Sequence, residues 1–422
     1  MNSNFIEEMK EIINGDSECG YYKEPFMIKT GITCFDYLNG KISMENGKKV
    51  SHIGIDAGKI VTVIGKTGSG KSTFAAQIGG NIVKRYDNGL LYYFDFENGM
   101  TIDRIANVSG MSEEECASKV QINNLGISSD AVLKIVYQLK KFKLDHANEL
   151  MVENKEGIYE DDGTLTKILP PTVIIIDSLA AMMPKDELGV EEIKGGMSAS
   201  ANAKANNQLF SRLVQPIAEA NIIVIVINHI KQAISMGTPV AASINYLKQG
   251  ETLNGGTGAQ YMSNTLIKIT ASTKLEEDKT YGIKGYESKL ELIKSRTAAA
   301  GKSMTLVYDQ VEGFDNDLSL FNYIKLNGMV KGNGMAYKFV GLDDGNHNFK
   351  MSNFKEKLAS DKLLHDRLYE LGEELLCDSI KTSNRMKIAT NAPIEIDEPD
   401  DEVEVSDEDA DIEEVEIEED AE

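Results

Sequence analysis

Gly65-Lys66-Thr67-Gly68-Ser69-Gly70-Lys71-Ser72 is the segment of this chain with the most obvious chemistry. It follows the apolar run Ile60-Val61-Thr62-Val63-Ile64 and runs into the helical pattern that begins at Thr73. Strand, glycine-rich loop and helix is the setting in which G-x-x-x-x-G-K-[ST] cradles phosphate. The glycines permit a tight turn with several backbone N–H groups pointing inward, and the new helix adds the positive end of its dipole. Lys71 is expected to reach the outer phosphates, and the Ser72 hydroxyl to ligate Mg²⁺. Gly65 through Thr73, each included, form the expected nucleotide-binding set.

Three further strand-like runs end in residues that complete such a site. Leu90-Leu91-Tyr92-Tyr93-Phe94 leads into Asp95-Phe96-Glu97-Asn98-Gly99. Taking this strand as the neighbour of the phosphate-loop strand, Glu97 is the candidate for orienting and polarising a water. Val173-Ile174-Ile175-Ile176 ends in Asp177, the expected metal-side carboxylate. Ile222-Ile223-Val224-Ile225-Val226-Ile227 ends in Asn228-His229, a polar pair able to sense the outermost phosphate. Further on, Lys294 and Arg296 stand two apart in Leu290-Glu291-Leu292-Ile293-Lys294-Ser295-Arg296-Thr297. On a strand that spacing aims both the same way, either into solvent or at a neighbouring subunit's nucleotide.

The elements that must position these groups follow from periodicity. Continuous β-branched runs indicate strands buried on both faces, and helical segments are expected at 73–85, 101–108, 129–143 and 199–220. The alternation predicts an α/β fold with a mostly parallel, twisted sheet flanked by helices. Polar stretches at 148–170, 184–198 and 231–258 interrupt it. The first reads as a surface excursion, and loops of this length inside a domain are functional or disordered. Phe5, Ile6, Met9, Ile12 and Ile13 share one helical face, a candidate oligomerisation segment over 1–25. Residues 353–388 look helical.

Of 422 residues, 67 are Asp or Glu and 44 Lys or Arg, a net charge of −23. Residues 395–422 hold 18 of the acids and no base, which leaves a net of −5 over 1–394. The body is therefore only mildly acidic, and basic loops can still bind nucleic acid. The tail over 393–422 has too little apolar surface to fold alone. Four cysteines without metal-type spacing, no signal-like start and no membrane-length apolar run make a cytoplasmic protein with reduced thiols the expectation.

Taken in order, these segments resemble the RecA superfamily of strand-exchange recombinases, most closely its bacteriophage UvsX-type branch. The resemblance spans about 25–340 and includes Ile28-Lys29-Thr30-Gly31 through Leu38-Asn39-Gly40, Phe94 through Gly99, and Ile176-Asp177-Ser178-Leu179. It continues through Ile227-Asn228-His229, Gly255-Gly256-Thr257-Gly258-Ala259-Gln260-Tyr261-Met262-Ser263, Lys294-Ser295-Arg296-Thr297, and Leu320-Phe321 through Tyr337. It implies a RecA-like ATPase core over 26–340, a helical region over 341–392, and two DNA-binding loops. The first lies near 186–198 with Lys194, Gly195, Gly196 and Met197. The second lies near 230–256 with Lys231, Ile234, Lys248, Gly255 and Gly256. Lysines there suit phosphates without reading sequence, and Met197, Ile234 or Met236 suit wedging between bases.

The resemblance further implies ATP and Mg²⁺ as ligands, single- and double-stranded DNA as partners, self-association into a helical filament, and a single-strand-binding protein and a mediator as helpers. Glu97, Lys71, His229, Lys294 and Arg296 take the catalytic places, Asp177 and Ser72 the metal. Where this family often stacks an aromatic ring on adenine, this chain has Arg104, whose guanidinium can stack instead. A ring-forming RecA-fold helicase, a mediator paralogue, and a binding protein that uses ATP only as an assembly switch are the competing readings.

Overall fold

Isoleucine and valine dominate the central strands because both strand faces are covered, so alternate residues of one run feed two different cores. The computed structural model describes residues 26–45, 48–160, 162–188, 197–232, 246–248, 251–253, 255–276, 282–333 and 336–380. Within them lies a ten-stranded sheet. Its strands are β1 (Ile60–Gly65), β2 (Leu90–Asp95), β3 (Val120–Asn123), β4 (Thr172–Asp177) and β5 (Ile222–Gln232). They continue with β6 (Glu251–Leu253), β7 (Thr265–Leu275), β8 (Gly285–Ser295), β9 (Ser303–Asp309) and β10 (Gly313–Asp315). The order is β10-β9-β8-β7-β1-β5-β4-β2-β3, with β6 paired to the far end of β5. From β7 to β3 all pairings are parallel; β8, β9, β10 and β6 add antiparallel edges.

Val61, Val63, Val173, Ile175, Ile223, Ile225 and Ile227 point to one face, where helix α1 (Lys71–Lys84) buries Phe74, Ile78 and Ile82. Ile60, Ile174, Ile176, Ile222, Val224 and Val226 point to the other. That face is covered by α3 (Ser129–Asp145) and α4 (Met197–Glu219), through Val132, Val136, Leu209, Phe210 and Leu213. Each such side chain stabilises the sheet by roughly 1.5–3 kcal/mol relative to exposure. The expected fold class is therefore present. The remaining helices that matter below are α2 (Ile102–Ser109), α5 (Gly258–Met262) and α6 (Asn316–Leu326). The helical stretch expected at 353–388 divides into α7 (Phe354–Ser360) and α8 (Lys362–Ser379). Asp361 separates them and caps α8 by accepting from Leu364 N. Helix α8 packs on α6 and on the short helix Thr33–Leu38.

One sequence expectation changes here and another is extended. Strand β2 is not the neighbour of β1: β5 and β4 stand between them. Periodicity cannot order strands, because buried parallel strands share one apolar pattern. The 148–170 excursion, expected only to lie at the surface, is also docked. Its Val152–Glu153/Lys167–Ile168 hairpin places the Glu156 carboxylate 2.6 Å from Arg85 Nη2, where it also accepts from Tyr86 Oη and Lys29 N. The segments expected at 1–25 and 393–422 lie outside the described residues, as do 381–392. Cys34, Cys116 and Cys377 are free thiols, and among the described residues no helix is long and apolar enough to cross a membrane.

Lys143 on α3 is buried, its ammonium donating to Pro170 O (2.7 Å) and Thr172 Oγ1 (3.1 Å). With no carboxylate beside it, burial pulls its pKa down to about 7. Between that value and the ordinary lysine range the unfolded chain binds the extra proton, so stability rises with pH across that window. The slope contributed by this one group is at most about 1.4 kcal/mol per pH unit. Denaturant melts of wild type and Lys143→Met between pH 7 and 9 check this: the Met variant is expected to lose that slope, and equal slopes would refute it.

Candidate nucleotide-binding site

The parallel register aligns the strand ends. Asp177 lies opposite Asp95, and His229 opposite Gly65, so β1, β2 and β4 finish along one edge, which β5 passes at His229. Ligands of open α/β sheets bind at this carboxyl edge. Gly65 to Gly70 turn from β1 into α1 there. Gly68 and Gly70 have φ of 77° and 86°, and a Cβ on Gly70 would meet Tyr286 Oη at 3.1 Å. Gly70 is the N-cap of α1 and supplies no capping side chain, so the first-turn N–H groups face the loop's concavity.

Lys71 is buried at the helix start and donates to Lys66 O at 2.8 Å. Burial pulls its pKa down to about 8, while Asp177 and Glu97 work in the opposite direction. A phosphate entering the loop would restore its full charge. Tyr93 Oη donates to Asp177 Oδ2 at 2.6 Å. Burial raises the Asp177 pKa, and the hydroxyls of Tyr93 and Ser72 pull it back. Asp177 Oδ1 and Ser69 Oγ are buried without a hydrogen-bond partner. An orphaned buried carboxylate oxygen with the Ser72 hydroxyl at the same carboxylate fits a hard divalent cation.

Glu97 reaches this edge although its strand is two places removed. Asp95 accepts from Glu97 N (3.2 Å) and Met100 N (2.8 Å), folding the turn after β2 back over β4. Glu97 Oε1 then accepts from Ser178 Oγ at 2.6 Å and lies 3.1 Å from His229 Nε2. Glu97, Asp177 and His229 each offer an atom within 4.8 Å of the others. Burial, then Lys71, lowers the His229 pKa, with Glu97 and Asp177 opposing. Asn228 is fully buried, and its Oδ1 accepts from His229 N at 2.8 Å. Thus Glu97, Asp177, His229 and Lys71 converge, while Asn228 sits beneath them and braces the histidine's backbone.

Arg104 on α2 is held at the loop's flank. Its guanidinium donates to Gln310 O (2.9 Å), Val311 O (2.6 Å), Thr73 Oγ1 (3.2 Å) and Tyr308 Oη (3.1 Å). Lys294 and Arg296 lie elsewhere. Strand β8 bulges at Ile293, before Lys294, and ends at Ser295, between the two cations. They converge: Lys294 Nζ donates to Gln260 O (3.0 Å) and Tyr261 O (2.8 Å), and Arg296 Nη2 to Tyr261 O (3.1 Å). These are C-terminal carbonyls of α5, where cations are favoured.

Among the predicted loop residues, Lys194, Gly195, Gly196, Ile234 and Met236 lie outside the described residues, as does the side chain of Met197. Lys231 and Lys248 are exposed. Gly255 and Gly256 have φ of 83° and 86°, and a Cβ on Gly255 would meet Leu179 at 2.8 Å, so packing alone requires glycine there.

Sequence reasoning missed two features. Tyr286 and Tyr308 stack at 4.5 Å beside the loop, with Tyr286 Oη donating to Gly68 O at 2.9 Å. Glu251, buried on β6, faces Lys66 and Lys268, each at 3.6 Å, and so ties the phosphate loop to the second loop's returning strand. A single tyrosine in each of β8 and β9 is a weak signal for the first. Nothing local signals the second, because the partners are far apart in sequence.

Comparison with known proteins agrees with this geometry. Residues 140–314 match the RecA N-terminal domain family. A protein named Protein RecA, plasmid, from Lactococcus lactis subsp. lactis is 23% identical over 325 residues, 76% of this chain and 79% of that one. Protein RecA of Bifidobacterium breve is 23% identical over 302 residues, 71% of this chain and 65% of its own length. Protein RecA of Syntrophus aciditrophicus (strain SB) is 21% identical over 331 residues, 76% and 83% of the two chains. The core is RecA-like. The phosphate loop at 65–72 lies ahead of the matched family segment.

If Asp177 and Ser72 hold the metal, Asp177→Asn and Ser72→Ala each weaken Mg²⁺-dependent binding of a fluorescent ATP analogue by about tenfold or more. Titrations with Mg²⁺ and with EDTA measure it; full retention of the Mg²⁺ dependence in both variants would contradict the assignment.

Proposed function

We propose that this protein is an ATP-dependent DNA recombinase of the RecA type, which polymerises on single-stranded DNA and carries out homologous pairing and strand exchange. The observation that carries the reading is the join at His229. The strand that passes Glu97 and Asp177 at His229 continues through Lys231 to Gln232, within the span expected for the second loop. Whatever reorganises the phosphate end of β5 acts on the loop it feeds.

In this reading the triphosphate is held between two copies of the chain. One copy supplies the loop Gly65–Thr73, Lys71, Glu97 and Asp177, with Ser72 and Asp177 holding Mg²⁺, which neutralises phosphate charge when bound. The other copy supplies Lys294 and Arg296. Glu97, partly exposed and oriented by Ser178, polarises the attacking water. Arg104, its donor edges engaged, presents its flat face to the base. Asn228 and His229 respond to the outer phosphate and order the second loop, where Lys231 and Lys248 meet the DNA backbone. Homology is then tested by base pairing rather than by side chains, a delegation known in guide-RNA systems. Loss of the outer phosphate loosens the assembly, an order–disorder switch. The acidic tail competes with DNA for the basic loops, and a single-strand-binding protein and a loading mediator assist.

The decisive experiment is ATP hydrolysis with and without single-stranded DNA, followed by a joint-molecule assay. Lys71→Ala is expected to lose both activities, and normal pairing in that variant would remove the ATP-gated scheme. Glu97→Gln is expected to bind ATP yet turn it over about 10²–10⁴-fold more slowly, the range for loss of a general base. Electron microscopy with ATP and single-stranded DNA should show open helical filaments; closed rings would favour a helicase. Removal of 395–422 should tighten duplex binding at low salt, and unchanged binding would leave the tail without that role.

A further inference from the structure

Asp56 is a buried carboxylate that the site above does not use. It ends the two-residue strand Ile55–Asp56, is 2% exposed, and accepts from the Thr297 hydroxyl with both oxygens, at 2.7 and 2.8 Å. It also accepts from Asn264 Nδ2. Asn264 in turn accepts, through its backbone carbonyl, from Arg296 N at 3.0 Å, and its own N–H donates to Ile60 O at 2.8 Å. The chain just beyond β8 is thus pinned twice: Arg296 by its peptide N–H, Thr297 by its side chain. Ser295 Oγ closes the turn by accepting from Thr297 N (3.2 Å) and Ala298 N (2.8 Å). The anchor leads through Asn264 to Ile60, the first residue of the phosphate-loop strand.

This matters because of what Lys294 and Arg296 must do. Both now rest on α5 carbonyls, and long flexible cations lose much rotamer freedom when they are aimed at one target. A backbone held in place reduces that loss, as the supporting shell of any precise site must. A carboxylate engaging one hydroxyl with both oxygens fixes the Thr297 rotamer and with it the direction of the chain at Arg296.

We infer that Asp56, acting through Thr297 and Asn264, is a positioning residue that holds the segment after β8 so that Lys294 and Arg296 reach the nucleotide of a neighbouring copy together. This rests on the reading that these two cations act across the subunit interface. Asp56 touches no reacting atom; its effect passes through the backbone at 296–297.

The test uses the full chain and five variants: Asp56→Asn, Thr297→Val, Thr297→Ser, the double variant Lys294→Ala/Arg296→Ala, and that double variant with Asp56→Asn added. Asp56→Asn and Thr297→Val are expected to lower the kcat of single-strand-stimulated ATP hydrolysis by about tenfold or more, with little change in KM. Nucleotide affinity of the DNA-free chain should stay within about twofold of wild type, since the anchor is not part of the phosphate loop. Thr297→Ser, which keeps the hydroxyl, restores turnover. Adding Asp56→Asn to the double variant causes no further loss, because both act on one function. Should Asp56→Asn fold poorly, the Thr297→Val and Thr297→Ser pair, differing at one buried group, decides alone. Wild-type turnover in Thr297→Val, failure of Thr297→Ser to restore it, or additive losses overturn the inference. A dead double variant beside a normal Thr297→Val overturns only the inference, whereas normal turnover in both overturns the interface reading and the inference with it.

Discussion

A lysine buried at the carboxyl edge of a parallel sheet is the constraint on which the rest of this structure depends. Lys71 cannot stay there cheaply: burial depresses its pKa to about 8, and only Asp177 and Glu97 oppose that. Each partner must therefore be delivered to the same point from a different strand. The parallel arrangement does this because all its strands end on one side, and a shared register puts Asp177 beside Asp95 and His229 beside Gly65. The apolar runs upstream are what keep that register from slipping, since a one-residue shift would move a whole strand's side chains to the opposite core.

The same edge is where the phosphate cradle meets the strand that leads to the second loop. Asn228 and His229 lie within β5 where it passes the phosphate loop, and β5 continues through Lys231 to Gln232. Strand β6 returns along it, and Glu251 on β6 faces Lys66 of the phosphate loop. Two separate connections therefore run between the phosphate cradle and the second loop, one through a histidine and one through an ion pair. On the far side of β1, β7 leads out of α5, whose carbonyls hold Lys294 and Arg296. Cradle, loop and cations thus stand on β1, β5 and β8, within four consecutive positions of one sheet.

Much of the site was legible because its determinants are local. The glycines and Lys71 define their own turn, and runs such as Val173–Ile176 end visibly in a carboxylate. Other features were not. Glu97 was placed on the strand adjoining β1, yet two strands separate them, and the turn built on Asp95 restores the proximity by another route. Lys294 and Arg296, two apart, lie on the same side as strand alternation leads one to expect, but nothing in the sequence names the Tyr261 carbonyl that both engage. The 148–170 insert reads as a surface excursion, and nothing near Glu156 in sequence announces Arg85 as its partner.

By itself the sequence determined what needs only neighbours along the chain. That includes the phosphate loop, the strands with their terminal polar residues, most helices and the charge segregation of the last 28 residues. Backbone conformation at glycine, side-chain periodicity and net charge are properties of short segments, so they can be read there. Only the tertiary structure decided the strand order, the Glu97–Ser178–His229 contacts, the aromatic wall of Tyr286 and Tyr308, and the Asp56 anchor beneath Arg296. Those depend on which buried polar groups find partners once the sheet has assembled, and the partners stand tens to hundreds of residues apart.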